Sequence, residues 1–356
     1  MSRAIKNVLV IGMGKVGSLV ALLLQEGKFS ATGMERNPED AVNTVKIIPG
    51  DASNVAYLTE NLKNFDAVIA CLPYHLNINV AKAAYKTGTH YFDLTEDVET
   101  MEEIKKMAKT SKGVMAPQCG LAPGFIAIAG AHIANSLDKL RSIELRVGAL
   151  PQHPKGLLGY ALNWSAEGVV NEYLNDCTLI KDGKIKNVPA MQDIETIVIE
   201  GKKLEAFTTS GGVGTMCESF KGKVNQLNYK TLRYPGHCKM MRFLFSEMLL
   251  GEDRKRAGEM LLYAKPPVDE DVVYIHAAAE GWKNKKLERK EFVRAYYPKQ
   301  IGKETWRAIS WTTAASVCAV VELVATGKLP SKGFIKQEEI SLDDFLKTKT
   351  GSFFKK

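Results

Sequence analysis

The chain has 356 residues, 45% hydrophobic and 25% charged, a globular composition long enough for two or three domains of roughly 100–200 residues each. Its formal charge of +8 comes from scattered Lys and Arg, with local excess near 283–290 and at the tail, so the cations read as solvated faces and no nucleic-acid partner is expected. Six widely spaced cysteines (Cys71, Cys119, Cys177, Cys217, Cys238, Cys318) form no CxxC pair and no zinc-spaced Cys/His cluster, so no metal and no disulfide framework are expected, and reduced thiols in cytoplasm are.

The opening "MSRAIKNVLV" enters a strand with no signal-peptide apolar region. From residue 7 to about 118, short apolar runs alternate with helical patterns: "NVLVIG", a helix from Lys15 to Glu26, "FSATGME", "TVKIIPGD", a helix over 54–63, "DAVIACLP", a helix over 77–87, "HYFDL", a helix over 98–110, and "GVMAPQ". That rhythm predicts a Rossmann-type doubly wound parallel sheet with ligands at the carboxyl ends of its strands.

After "CGLAPGF" the strands lengthen and alternate, in "SIELRVGAL", "IETIVIEG", "DVVYIHAAAEG" and "KLERKEFVRAYY", with helices near 125–136, 165–174, 237–249 and 252–263. They predict an inserted α+β domain with a mixed or antiparallel sheet. "ETWRAISWTTAASVCAVVELVATGKL" reads as one long apolar helix closed by Gly327 and returning to the first domain. The apolar part from Trp311 to Gly327 carries Glu322 and falls short of a bilayer span, so no membrane is expected. The expected division is 1–122 with 305–335 for the dinucleotide domain, 123–304 for substrate binding and dimerisation, and 336–356 as a C-terminal tail whose lysine-rich last residues are frayed.

Gly12, Gly14 and Gly17 follow a strand and open a helix, where one glycine turns, a second admits a pyrophosphate and a third lets helix and strand pack. Glu35 ends the second strand, placed for a carboxylate that accepts both ribose hydroxyls and repels a 2′-phosphate. NAD is therefore favoured over NADP, although Arg36 beside it has the chemistry to stack on adenine or to neutralise a phosphate.

With "CLPYHLN" (71–77), "CGLAPG" (119–124), "LNWSAEGVVNEY" (162–173) and "YKTLRYPGH" (229–237) in order behind this loop, the chain resembles the saccharopine dehydrogenase-like family over about residues 5 to 335. "HYFDLTED" and "LEAFTTSGGVGTMCESF" are similar to its lysine 6-dehydrogenase branch, whereas saccharopine reductases carry Asp at the position of Ala122, Tyr at that of Glu96 and no acid at that of Glu35. The resemblance implies a discontinuous dinucleotide domain, a homodimer and NAD-dependent oxidation of an amino-acid amine.

The resemblance further implies a cofactor shell of Gly12, Gly14, Lys15, Val16, Gly17, Glu35, Arg36, Asp51, Ala52, Cys71, Leu72, Pro73, Thr95, Cys119 and Gly120. Arg233 matches an arginine that holds a substrate carboxylate, with Tyr74, Trp164, Ser165 and Tyr234 as further pocket residues. Glu96 falls at the substrate end of the loop after "HYFDL", where a carboxylate can help deprotonate the ε-ammonium. Asp93, Cys119 and His237 are the other catalytic candidates. The bland alternatives are a helix cap for Glu96 and Asp93, a small buried thiol for Cys119, a packed ring for His237 and a structural ion pair for Arg233.

The expected reaction converts L-lysine to 2-aminoadipate 6-semialdehyde, which cyclises to piperideine carboxylate, with release of ammonia. Reductive coupling of an amine to an aldehyde, as in saccharopine or carboxynorspermidine formation, is the alternative on the same fold, and a non-catalytic NAD(H) sensor the alternative of another class.

Overall fold

The computed structural model describes residues 5–40 and 45–355; Thr44, at the start of the strand expected over "TVKIIPGD", lies outside them. The chain divides into two units, Met1–Ile128 with Ser310–Lys356, and Ala129–Ile309. The expected boundaries lie a few residues before these.

The first unit runs β1 (Asn7–Ile11), α1 (Lys15–Glu26), β2 (Ser30–Glu35), β3 (Lys46–Pro49), α2 (Val55–Leu62), β4 (Ala67–Ala70), α3 (Tyr74–Thr87), β5 (His90–Asp93), α4 (Val98–Ala108) and β6 (Val114–Ala116). Helix α5 (Phe125–Ala134) leads into the second unit. There follow β7 (Lys139–Pro151), α6 (Ala166–Leu174), β8 (Cys177–Lys181), β9 (Lys184–Val188), β10 (Glu195–Ile199), β11 (Lys202–Thr208), α7 (Met216–Ser219) and β12 (Gln226–Arg233). Then come α8 (His237–Arg242), α9 (Arg254–Ala264), β13 (Asp271–Lys283), β14 (Lys286–Tyr296), β15 (Lys299–Ile301) and β16 (Glu304–Trp306). Helix α10 (Ala308–Ala325) returns to the first unit, which ends with β17 (Gly333–Phe334) and α11 (Leu342–Lys347).

The sheet of the first unit has the order β17-β6-β5-β4-β1-β2-β3 with parallel neighbours throughout. Strands β4 "AVIA" and β6 "VMA" are buried at every residue, as a sheet covered on both faces requires. The order reverses between β1 and β4, and the loops after these strands open at the carboxyl edge where such sheets hold ligands.

The second unit is built on a mixed sheet of order β10-β11-β12-β7-β13-β14, with the β8–β9 hairpin pairing onto β12. Strand β12 pairs parallel with β7 and antiparallel with β11, which makes it central. Helices α6 and α8 contribute Val169, Val170, Tyr173, Cys238 and Met241 to the core beneath this sheet, beside Phe207 of β11 and Leu232 of β12.

Three expectations are corrected. The helix expected over 237–249 is α8 followed by a π-helical turn at Phe243–Glu247, and the long helix expected from Glu304 begins at Ala308 because Glu304–Trp306 pairs with Lys299–Ile301. Nor is the lysine-rich end of the C-terminal tail frayed up to Phe354. Phe354, 1% exposed, stacks on Phe125 at 4.1 Å and packs against Trp311 and Phe345, and Thr350 Oγ1 donates to Ala315 O at 2.9 Å. The terminal lysines hid two aromatic residues that belong to the core.

Replacing Phe354 with Ala should therefore lower the stability of the first unit by about 3–5 kcal/mol, the usual cost of truncating a buried aromatic. Chemical denaturation checks this, and an unchanged midpoint would mean that the C-terminal segment adds nothing.

Candidate functional site

In the first unit, three glycines meet three different steric demands. Gly12 has φ +89°, and a Cβ there would stand 2.4 Å from Cys71 O. A Cβ on Gly17 would stand 1.9 Å from Gly12 O, so the helix closes on the loop only over hydrogen. Gly14 is exposed, is the N-cap of α1, and has no heavy atom within 4 Å of where its Cβ would be. Open backbone at a helix start whose first turn carries no acidic residue fits a pyrophosphate. Lys15 is exposed and Val16 half-buried at the same helix start.

Glu35 ends β2 and grips the loop: Oε2 accepts from Met13 N and Oε1 from Arg36 N, each at 2.8 Å. Its carboxylate is thereby fixed at the carboxyl edge of the sheet. Asp51 accepts from Ser53 N at 2.8 Å, and these bonds with nearby Arg36 hold its carboxyl below the usual range. Ala52 is buried. Cys71, Leu72 and Pro73 continue from β4 into α3, with Pro73 at the N-cap and half-buried Tyr74 edge-on to His75.

Asp93 and Cys119 are both wholly enclosed and bond to the strand ends around them. Asp93 Oδ2 accepts from Tyr91 OH at 2.6 Å, and Oδ1 from the N–H groups of Thr95 and Gln118 at 2.9 Å. Burial nonetheless pushes its carboxyl up to about 6. The Cys119 thiol lies 3.1 Å from Ala116 O and 3.3 Å from Gln337 Nε2, and burial, with Asp93 nearby, raises it well above the ordinary thiol value. The thiol is thereby held in its protonated form. Thr95 and Gly120 are buried beside it. Half-buried Glu96 stands in the loop between β5 and α4, but it is not the helix cap; Asp97 is, accepting from Thr100 N at 2.8 Å.

In the second unit, Arg233 is 3% exposed at the end of β12. Its Nε donates to Tyr173 OH at 2.7 Å and its Nη1 to Thr231 Oγ1 at 2.5 Å and Leu232 O at 2.8 Å. Its Nη2 lies 4.0 Å from Glu172 Oε2, and the guanidinium stacks 4.8 Å from the Tyr160 ring. Burial works against its charge, and the oxygens of Tyr173, Tyr160 and Glu172 more than offset it. Glu172, Tyr173 and Tyr160 escaped the sequence reading; the signal was the pair of polar side chains, Asn171 and Glu172, on a buried stretch of α6.

His237 is a packed ring held between two partners. Its Nε2 is 2.9 Å from Tyr173 OH and its Nδ1 2.8 Å from Leu158 O. Because the tyrosine oxygen receives the Arg233 proton, its hydroxyl donates to Nε2, and Nδ1–H donates to the carbonyl. Burial and the Arg233 charge lower the imidazole to about 3, so it stays neutral and positions Tyr173. Ser165 is exposed and caps α6, accepting from Gly168 N at 3.0 Å, rather than lining a pocket. Tyr234 donates to Pro151 O at 2.8 Å, and half-buried Trp164 packs on the core.

Asp93 yields a test. Its folded-state pKa of about 6 lies above the ordinary 3.8, so the folded state is favoured while it is protonated, and that contribution is full below 3.8 and lost as pH rises through 6. Relative to Asp93→Asn, the wild type should lose up to about 3 kcal/mol across this window. Parallel pH profiles of the two proteins would contradict it.

Comparison with known proteins covers both units. The family model described as saccharopine dehydrogenase NADP binding domain matches residues 8–116, and that described as saccharopine dehydrogenase C-terminal domain matches residues 120–349. A saccharopine dehydrogenase (NADP(+), L-glutamate-forming) of Pyricularia oryzae is 24% identical over 298 residues, covering 76% of this chain and 66% of that protein. Its Saccharomyces cerevisiae counterpart is 27% identical over 195 residues, covering 51% and 44%. The chain thus spans two thirds or less of the length of these relatives. Among solved structures, the apo saccharopine dehydrogenase (L-Glu forming) from Saccharomyces cerevisiae shares the fold with a TM-score of 0.74 at 19% identity, covering 96% of each chain. DAP dehydrogenase of C. glutamicum gives 0.51 at 12% identity, again over 96% of each. The NADP in these names stands against the NAD expected from Glu35. With its two halves matched in order by the two domain models, the chain belongs to the saccharopine dehydrogenase family.

Proposed function

We propose that this protein is a nicotinamide-dinucleotide-dependent oxidoreductase that deaminates the ε-carbon of L-lysine. Lysine, the oxidised dinucleotide and water give 2-aminoadipate 6-semialdehyde, ammonium, the reduced dinucleotide and a proton, and the semialdehyde cyclises to piperideine carboxylate. The observation that carries the reading is Arg233, the arginine whose motif matches a carboxylate-binding one, a guanidinium 3% exposed, fixed on Nε and Nη1 and with Nη2 4.0 Å from Glu172.

The dinucleotide, when bound, accepts the hydride. The Gly12–Gly17 loop would hold its pyrophosphate, Glu35 a ribose diol, and the backbone of Leu72 and Pro73 its second ribose. Lysine's ε-ammonium, with a pKa of about 10.4, must lose a proton before hydride can leave. Glu96, at the carboxyl edge where a nicotinamide ring sits in such sheets, is our candidate to receive it.

We infer NAD as the preferred cofactor because the Glu35 carboxylate, fixed by Met13 and Arg36 backbone, would repel a 2′-phosphate. NADP is the second reading; the names of the relatives favour it, and exposed Arg36 beside Asp51 is the cation that would serve it. The same names support saccharopine as an alternative substrate. Its additional carboxylates would call for a further Arg or Lys beside Arg233.

Arg233→Lys, which keeps charge but loses the planar fork, should raise the lysine KM by about tenfold or more with dinucleotide affinity unchanged. A variant that loses both together would make Arg233 structural. Glu35→Ser should narrow the NAD-over-NADP ratio of kcat/KM by about tenfold, one charge contact's worth. Wild-type activity that is higher with NADP would hand cofactor choice to Arg36.

A further inference from the structure

Helix α6 brings an opposite charge to Arg233. Strand pairing sets Glu205 and Phe207 of β11 against Arg233 and Thr231 of β12, and side chains alternate along a strand, so these four and Tyr229 share one face of the sheet. Tyr173 of α6 meets Arg233 and Phe207 on that face, and its neighbour Glu172 follows it in. The Glu172 main-chain carbonyl accepts from Ser210 N, just past the end of β11, at 3.0 Å. Burial, and then the Glu172 charge, raises the Tyr229 phenol above its ordinary value, so the carboxylate bears on β12.

Charges enclosed on this face must nearly cancel, because a buried ion without a counter-charge is costly. His237 is neutral there, its imidazole lowered to about 3 by burial and by the Arg233 charge. Glu205 is taken up by the turn, where it accepts from Gly236 N at 2.8 Å and Cys238 N at 2.6 Å. Glu172 is the carboxylate that faces the guanidinium itself, with Oε2 4.0 Å from Arg233 Nη2. That exceeds the roughly 2.7–2.9 Å of a charge-assisted hydrogen bond, so the two attract without such a bond between them. Both side chains keep some accessible surface, 3% for Arg233 and 7% for Glu172.

The charge of this pair limits what can join it. A bare carboxylate on Arg233 would leave Glu172 as an uncompensated buried anion, and a bare ammonium on Glu172 would strand the guanidinium in the same way. An α-amino acid head carries both charges on neighbouring atoms and adds no net charge.

We propose that Glu172 determines specificity for the α-ammonium of the substrate, so that with Arg233 it admits α-amino acids and rejects acids and amines that carry only half of the head. The proposal rests on the proposed function, which gives Arg233 the substrate carboxylate. Its test compares L-lysine with 6-aminohexanoate, which lacks the α-ammonium, and with pentane-1,5-diamine, which lacks the carboxylate. Binding is read by calorimetry on the complex with reduced dinucleotide, which cannot oxidise them, and turnover separately with the oxidised form. Wild type should bind each truncated probe at least about tenfold more weakly than lysine. Glu172→Gln, alike in shape but uncharged, should weaken lysine about tenfold or more and 6-aminohexanoate not at all, with dinucleotide affinity and the melting transition unchanged. Wild type that binds 6-aminohexanoate as tightly as lysine would overturn the proposal whether or not the variant folds, and so would a lysine-to-6-aminohexanoate ratio untouched by Glu172→Gln. Lysine bound at the expected ratio but never oxidised would refute the deamination and uphold the role of Glu172. Lysine oxidised with an unchanged ratio in the variant would refute that role alone.

Discussion

A buried guanidinium must be met by oxygen, and in the second unit that requirement at Arg233 ties three elements together. Arg233 ends β12, Tyr173 comes from α6 and His237 opens α8, and one directional chain of hydrogen bonds runs from guanidinium to phenol to imidazole to the Leu158 carbonyl. Each member fixes the proton of the next, so the imidazole tautomer follows from the arginine. Glu205 secures the turn between β12 and α8 by accepting from Gly236 N at 2.8 Å and Cys238 N at 2.6 Å. The outcome is a cation held in one orientation, which is what recognition of a carboxylate requires.

The first unit answers a different constraint. Its glycine loop is shaped by contacts too close for any side chain, at Gly12 against Cys71 and at Gly17 against Gly12, and Glu35 anchors the loop from the neighbouring strand. Beneath the carboxyl edge, Asp93 gathers the Tyr91 hydroxyl and two backbone N–H groups, so the ends of β5 and β6 are set by a buried acid rather than by a catalytic one. Strand ends fixed in this way hold the loops after them, with Glu96 among their residues.

The parallel unit was legible because buried strands such as "AVIA" are apolar runs with glycines where turns must be. In the second unit, β12 "QLNYKTLR" escaped notice because its Lys230 and Arg233 are buried cations whose partners come from distant positions. The β8–β9 hairpin was signalled by Asp182-Gly183, both at positive φ, a turn dipeptide that was passed over. Arg233 drew a role from its motif, whereas Glu172 and Tyr173, at the end of "LNWSAEGVVNEY", drew none, since a polar residue on a short helix reads as solvated until the packing is seen. For Asp93, Cys119 and His237 residue type suggests reactivity, while the structure shows buried side chains bonded within the fold.

The central claim is that hydride leaves the ε-carbon of free lysine. Incubating the enzyme with L-lysine deuterated at both C6 positions and with NAD, then weighing the recovered dinucleotide, tests it directly. The account predicts one deuterium per reduced nicotinamide, with ammonia released in equal amount. Transfer from C6-deuterated saccharopine with none from free lysine would contradict it.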